Sequence, residues 1–296
     1  MQITFDQTSG KFQAIDSTGT VIDSSKNRDY LKRKLGQIGI KESSAAQVIT
    51  NAAAAEFAIN DRFDFTEQLV TMVATGQTAS AIITGEGGLG KSYAVVKALK
   101  AAGLRDISDV EPGTAVAART CFCVVKGFST AKGLYRTLYE NRNSIIVLDD
   151  IDSILKDADA VNLLKGALDS YDKRVISWNT NAADDGLPRR FEFTGGIVFI
   201  SNMKLEKIDQ AIRSRSMVVD LTMTMGEKIE RMSTIMQDGL FMPGVALQHK
   251  QEALALIDEH KDAASEISMR TLIKITKIRT SGNRNWAALA KYALLA

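Results

Sequence analysis

Between residues 79 and 221, apolar positions fall in short unbroken runs separated by longer stretches of helical spacing. The runs ASAIIT (79–84), TCFCVV (120–125), SIIVLDD (144–150), GGIVFISN (195–202) and SMVVDL (216–221) predict strands. The stretches SYAVVKALKAA (92–102), TAKGLYRTLYENR (130–142) and DAVNLLKGALDSY (159–171) predict helices between them. Strands that do not alternate, interleaved with helices, imply a parallel sheet buried on both faces. Past Gly226 the pattern is helical to the end, in EKIERMSTIM, KQEALALIDEH, MRTLIKITKI and NWAALAKYALLA. Ahead of the sheet, residues 1–24 alternate apolar and polar around Ser9-Gly10 and Gly19, which predicts a small hairpin or two short strands. Residues 27–75 read as helical and stop at Gly76. The expected organisation is an N-terminal accessory segment at 1–76, an α/β core at 77–225 and a small all-helical domain at 226–296.

Composition narrows the class without naming a chemistry. The 296 residues are 45% hydrophobic and 24% charged, with three prolines, as in an ordinary globular protein. A formal net charge of +2 neither demands nor excludes nucleic acid, so any such contact needs a local basic patch. Cys121 and Cys123 alternate in an apolar run, which suits a core better than a disulfide and fits a reducing compartment. His249 and His260 are the only histidines, too few for a histidine-based metal site or a Ser-His-Asp triad. No apolar stretch reaches the ~20 residues needed to span a bilayer, and the N-terminus lacks a secretory h-region. A cytoplasmic protein without membrane contact is the expectation.

The chemistry is carried by GEGGLGKS, Gly85 to Ser92, which fits the phosphate-loop pattern G-x-x-x-x-G-K-[ST] between a predicted strand and a predicted helix. Gly85, Gly87, Gly88 and Gly90, with Glu86 and Leu89 between them, let backbone amides turn inward on phosphate oxygens. Lys91 would meet the β- and γ-phosphates, and Ser92 would offer a hydroxyl to Mg²⁺. The helix running on through Tyr93 points its positive end at the same anions. The third strand ends in Asp149 and Asp150, at the edge where open α/β sheets bind ligands. Asp149 would hold Mg²⁺ and Asp150 would polarise the attacking water. Adjacent acids on a strand face opposite ways, which divides these roles. The bland alternative is a solvated strand end or a helix cap, a role that suits Asp152 better.

GEGGLGKS followed by IIVLDDID resembles the Walker A and Walker B motifs of the AAA+ ATPases, over residues 79 to about 290. The resemblance implies an α/β P-loop fold, a three-layer parallel-sheet core followed by a small helical lid, binding and hydrolysing ATP with Mg²⁺. The family's second motif usually ends Asp-Glu; here it ends Asp-Asp, which bears on the rate of hydrolysis. By resemblance Asn202, closing FISN, is the sensor-1 residue, against a plain turn former. In AIRSRSMVVDL, Arg215 and then Arg213 are candidates for the finger that reaches a neighbouring subunit's site, against two surface arginines. Arg270 in ISMRTL resembles sensor 2, against a surface helix arginine. A finger supplied in trans implies a homo-oligomeric ring or spiral, with a hexamer as the expected count.

The partner stays open between DNA and protein. KRVISWN (173–179) and PRRFEF (188–193) resemble the hairpin that in some AAA+ branches, the superfamily-three viral helicases among them, touches DNA. Lys173, Arg174, Arg189 and Arg190 would meet phosphates and Trp178 a base, against an edge hairpin with a half-buried Trp. Phe128, after Lys126-Gly127, stands where protein-threading relatives carry a pore-loop aromatic, against a core or loop anchor. A DNA-directed helicase, loader or replication factor of a virus or mobile element, a protein-remodelling chaperone, and a weakly hydrolysing scaffold are the three expectations.

Overall fold

The computed structural model describes residues 2–6, 11–15, 21–25, 56–127, 129–169, 171, 173–179 and 186–296. The helical stretches expected over 27–55 and the loop aromatic Phe128 lie outside these residues.

Strands β1 (Gln2–Asp6), β2 (Lys11–Ile15) and β3 (Val21–Ser25) form an antiparallel meander, so the expected hairpin gains a third strand. Its register runs from Gln2 opposite Ile15 to Asp6 opposite Lys11, with an irregularity at Ala14/Ile15 where β3 joins. Residues 1–48 form one compact unit and 49–296 a second.

The second unit opens with helix α1 (Ile59–Thr75), stopped by Gly76 in the left-handed region, whose amide caps the carbonyls of Met72 and Val73. Strand β4 (Ser80–Thr84) leads through the glycine loop into α2 (Lys91–Ala101). There follow β5 (Arg105–Asp106), β6 (Cys121–Lys126), α3 (Ala131–Glu140), β7 (Ile145–Asp149) and α4 (Ala158–Ala167). The hairpin strands β8 (Val175–Ser177) and β9 (Arg190–Glu192) precede β10 (Gly196–Ser201), the short helix α5 (Gln210–Arg213) and β11 (Met217–Asp220).

Six strands make one sheet in the order β11-β4-β10-β7-β6-β5, every neighbouring pair parallel. The two-residue edge strand β5 had no sequence signal, being too short to show a pattern. Every residue of β4, β7 and β10 is buried, the burial their unbroken apolar runs imply. Ala81, Ile83, Val147 and Val198 pack with α1 and α2 on one face, while Ile82, Ile146, Leu148 and Phe199 pack with α3 and α4 on the other. Three layers result, and α1 belongs to one of them although its sequence falls within the expected accessory segment.

Helices α6 (Met225–Met236), α7 (Leu247–Glu259), α8 (Met269–Thr280) and α9 (Trp286–Leu295) surround a separate core of Met232, Leu254, Ile257, Leu272, Ile275 and Ala290. Capping boxes fix two of their starts, Thr224 with Glu227 for α6 and Ser268 with Thr271 for α8. A parallel-sheet core followed by a small helical domain is the fold that the resemblance implied. Among the described residues no helix is long and apolar enough to cross a membrane.

Candidate functional site: the phosphate loop

The loop between β4 and α2 turns on glycines because its path leaves no room for side chains. Gly85 has φ +135° and Gly88 φ +75°. A β-carbon on Gly85 would stand 2.8 Å from the Leu221 backbone, and one on Gly88 2.9 Å from Ser268 Cβ. Among the described residues the amides of 86–90 take no part in the turn and cap hydrogen bonds. They are therefore free to donate to an anion at the head of α2.

Lys91 is 5% exposed, and its ammonium donates to Gly85 O at 2.8 Å, Glu86 O at 2.6 Å and Asn202 Oδ1 at 2.9 Å. Burial pulls its pKa below the usual lysine value, opposed by Asp150, Asp149, Asp152 and Glu86. The other end of the Asn202 amide donates to Asp150 Oδ1 at 2.8 Å. Asn202 thus bridges the loop lysine and the acid at the end of β7. Ser92 Oγ donates to Asp149 Oδ1 at 2.9 Å. These contacts join residues from β7, β10 and the start of α2 at the carboxyl edge of the sheet.

The two acids are held apart differently from the expectation. Asp149 closes β7 and is buried, whereas Asp150 lies beyond the strand with φ +58°, its amide donating to Ile200 O at 3.0 Å. A left-handed turn separates the carboxylates, not strand alternation; Asp tolerates that region better than most residues. Burial and then the Asp149 charge push the Asp150 pKa up, while Lys91 and Lys126 oppose them. Asp152 is not a helix cap either. It accepts from Ser201 Oγ at 2.5 Å, and Asp157 caps α4 by accepting from the amides of Asp159 and Ala160.

Other anticipated residues are placed with mixed results. Arg270, exposed at the start of α8, has Nη1 3.8 Å from a β-carbon built on Gly88. Tyr93 is half-exposed, its ring outside the core. Arg215 is exposed and donates to Ala211 O at 3.0 Å. Arg213 is half-buried, with Nε enclosed and without a partner among the described residues. The hairpin forms as expected, with Ile176 opposite Phe191. Lys173, Arg189 and Arg190 are exposed. Arg174 is not available to a partner: it is buried, donates to Ala167 O at 2.9 Å and Gly195 O at 2.7 Å, and lies over Phe193. Burial brings its pKa down to about 10. Trp178 is half-buried and stacks on Tyr135 with centroids 5.8 Å apart.

Three contacts escaped sequence reasoning. Lys126, the last residue of β6 and in register with Asp149, places Nζ 2.8 Å from Asp149 Oδ2. Lys228 of α6 pairs with Glu86 of the loop. The Met269 amide of α8 donates to Gly88 O at 2.8 Å. Adjacent predicted strands could have suggested the first; nothing local points to the other two.

The residues present fit a magnesium nucleotide. A glycine cradle with unengaged amides, a buried ammonium and a hydroxyl–carboxylate pair meet at one point. Among the described residues no group of three His, Cys, Asp or Glu side chains is arranged to hold a metal. Mg²⁺ would therefore rest on Ser92, Asp149 and the oxygens of its nucleotide.

No protein-family model matches the chain. An uncharacterized 36.7 kDa protein from the nrdC-mobD intergenic region of Enterobacteria phage T4 is 30% identical over 250 residues, which cover 78% of this chain and 73% of the phage protein. The chain belongs to the family of that phage protein. Solved structures of similar shape include a single-substitution variant of Thermotoga maritima RuvB, 12% identical, with TM-score 0.46 over 79% of this chain and 69% of that one. NtrX from Brucella abortus in complex with ATP is 16% identical, with TM-score 0.45 over 85% of this chain and 56% of that one.

Proposed function

We propose that this member of the phage-protein family binds Mg-ATP at Gly85–Ser92 and hydrolyses it. The observation that carries the reading is the continuous chain Lys91–Asn202–Asp150 beside the Ser92–Asp149 pair. Bound on Ser92 and Asp149, Mg²⁺ would supply neutralisation of phosphate charge. Lys91 exchanges its carbonyl partners for phosphate oxygens. Asp150, ionised, polarises water, and Asn202 holds that carboxylate in line with the lysine. Arg270 senses the same phosphates from the lid. Arg215, with Arg213 second, completes a neighbour's site in a homo-oligomeric ring or spiral.

The ATPase acts on DNA in this reading, with Lys173, Arg189, Arg190 and Trp178 at the hairpin. Three exposed cations on one short element support it. The relative's phage origin suits a replication-type role, and buried free Cys121 and Cys123 suit a reducing compartment. A weakly hydrolysing scaffold is the second reading, favoured by the shorter Asp150 in its left-handed turn.

Purified protein with ATP and Mg²⁺ should release phosphate, and Lys91→Ala should lower turnover by about a hundredfold or more. ATP should also raise the melting temperature of the wild type and not of the variant. Nucleotide-dependent stabilisation without phosphate release would leave the scaffold. Neither effect at millimolar nucleotide would end both readings.

A further inference from the structure

From Ile267 to Ala296 the chain carries Arg270, Lys274, Lys277, Arg279, Arg284 and Lys291 and no aspartate or glutamate. The whole chain is nearly balanced, 37 basic to 35 acidic, so its positive charge is gathered at this end. Spacing by four and three residues sets Arg270, Lys274 and Lys277 in one line along α8, and all three are exposed. Leu272, Ile275 and Thr276 take the opposite, buried face. Arg284 follows the turn at Gly282 and is also exposed.

These cations are uncommitted. Among the described residues none of Arg270, Lys274, Lys277 and Arg284 forms an ion pair. Arg279, off the line, pairs with Glu252 and lies 5.0 Å from the Trp286 ring. On the neighbouring α7 and the turn after it, Asp258 pairs with Lys261, while Glu259, Asp262 and Glu266 all precede α8.

We propose that the outward face of α8, with Lys274 and Lys277 on it and Arg284 in the turn that follows, binds the phosphate backbone of nucleic acid. At 1.5 Å per residue, Arg270 to Lys277 spans about 10 Å. That is about three phosphates at 3.4 Å of axial rise per strand. A membrane surface is disfavoured because the exposed positions of α8, Arg270, Lys274, Lys277 and Thr280, include no apolar residue to insert. An acidic protein would want an apolar anchor at the centre of the contact, and this face has none. The head of the line touches the phosphate loop, through Met269 on Gly88. Nucleic acid held here rides on the helix that meets the nucleotide. The inference rests on the DNA reading above but assigns a second surface, on the lid instead of the hairpin.

The test is anisotropy of labelled single-stranded and duplex oligonucleotides against the full chain across a salt series. Lys274→Ala/Lys277→Ala/Arg284→Ala should weaken binding at least tenfold at low salt and lower the log–log salt slope by about 2 on single strands and about 3 on duplex. The charge-keeping Lys274→Arg/Lys277→Arg/Arg284→Lys should bind as wild type, and an unchanged melting temperature excludes unfolding. If the alanine variant binds like wild type while Arg189→Ala/Arg190→Ala loses binding, the lid surface is overturned and the hairpin reading stands. If the wild type binds neither oligonucleotide at low salt, both fall. Co-sedimentation with phosphatidylserine vesicles but not with oligonucleotides would also overturn the proposal.

Discussion

Asp149 is shared by two groups that the nucleotide reading treats differently. Ser92 takes one carboxylate oxygen and Lys126 the other. Lys126 stands where a divalent cation would compete for charge, yet its side chain is 65% exposed and water screens the pair. Lys126→Met should therefore lower the Mg²⁺ needed for half-maximal nucleotide stabilisation by about two- to fivefold. A thermal-shift titration reads this directly, and an unchanged or raised requirement contradicts it. The same lysine lowers the pKa of Asp150, which burial and Asp149 have raised. Removing it lets that pKa climb further. A base must be ionised to act, so the acid limb of ATP turnover should move to higher pH in Lys126→Met. An unmoved limb would show that Asp150 is not the group being titrated.

At the scale of elements, α1 fastens the lid's first helix to the core. Arg62 is buried, donates to Asp220 O at 3.2 Å and Thr222 O at 2.8 Å, and pairs with Glu227 of α6. Asn60 donates to Glu230 at 3.0 Å and accepts from Arg231 at 3.0 Å, and the Arg231 guanidinium lies 3.6 Å from the Phe63 ring centroid. Through Thr222, Arg62 also holds the strand-to-lid connection, 221–224. Arg62→Ala should destabilise the protein by about 3 kcal/mol, since it strips a mostly buried pair and two carbonyls of their partner. Chemical denaturation measures that loss. Arg62→Lys should recover only part of it, because an ammonium lacks the fork that serves three acceptors. The hairpin shows how burial redirects a residue's use. Arg174 and Arg190 look alike in sequence, but Arg174, just before β8, is buried and serves carbonyls, whereas Arg190 is left outside.

At the scale of the molecule, core and lid meet on the phosphate loop. Glu86 pairs with Lys228, Gly88 receives the Met269 amide, and Ile235 Cδ1 stands 3.5 Å from a β-carbon built on Gly90. An anion in the loop therefore bears on the lid's position. Gly88→Ala tests this joint. Its left-handed backbone costs an L-residue about 1–2 kcal/mol, and the new methyl group meets Ser268. Weaker ATP retention by equilibrium dialysis, with the chain still folded by circular dichroism, is the expected result; wild-type affinity would show that the lid does not press on the loop. Much of this was legible beforehand where the signal is local. The five long strands, the loop at 85–92 and the acids at the end of β7 declare themselves because unbroken apolar runs mean two-sided burial and glycines mean tight backbone. Asn202 was legible only through family resemblance, and Lys126, Lys228 and the Gly88–Met269 contact not at all. The chain's residues by themselves determined the long core strands, most helices and the phosphate loop, since those depend on neighbours within a turn or a strand, whereas the two-residue β5 is too short to show a pattern. Only the tertiary structure decided which distant side chains share Asp149, clamp the lid and withdraw Arg174, because strand order and helix packing bring together positions that sequence separation keeps apart.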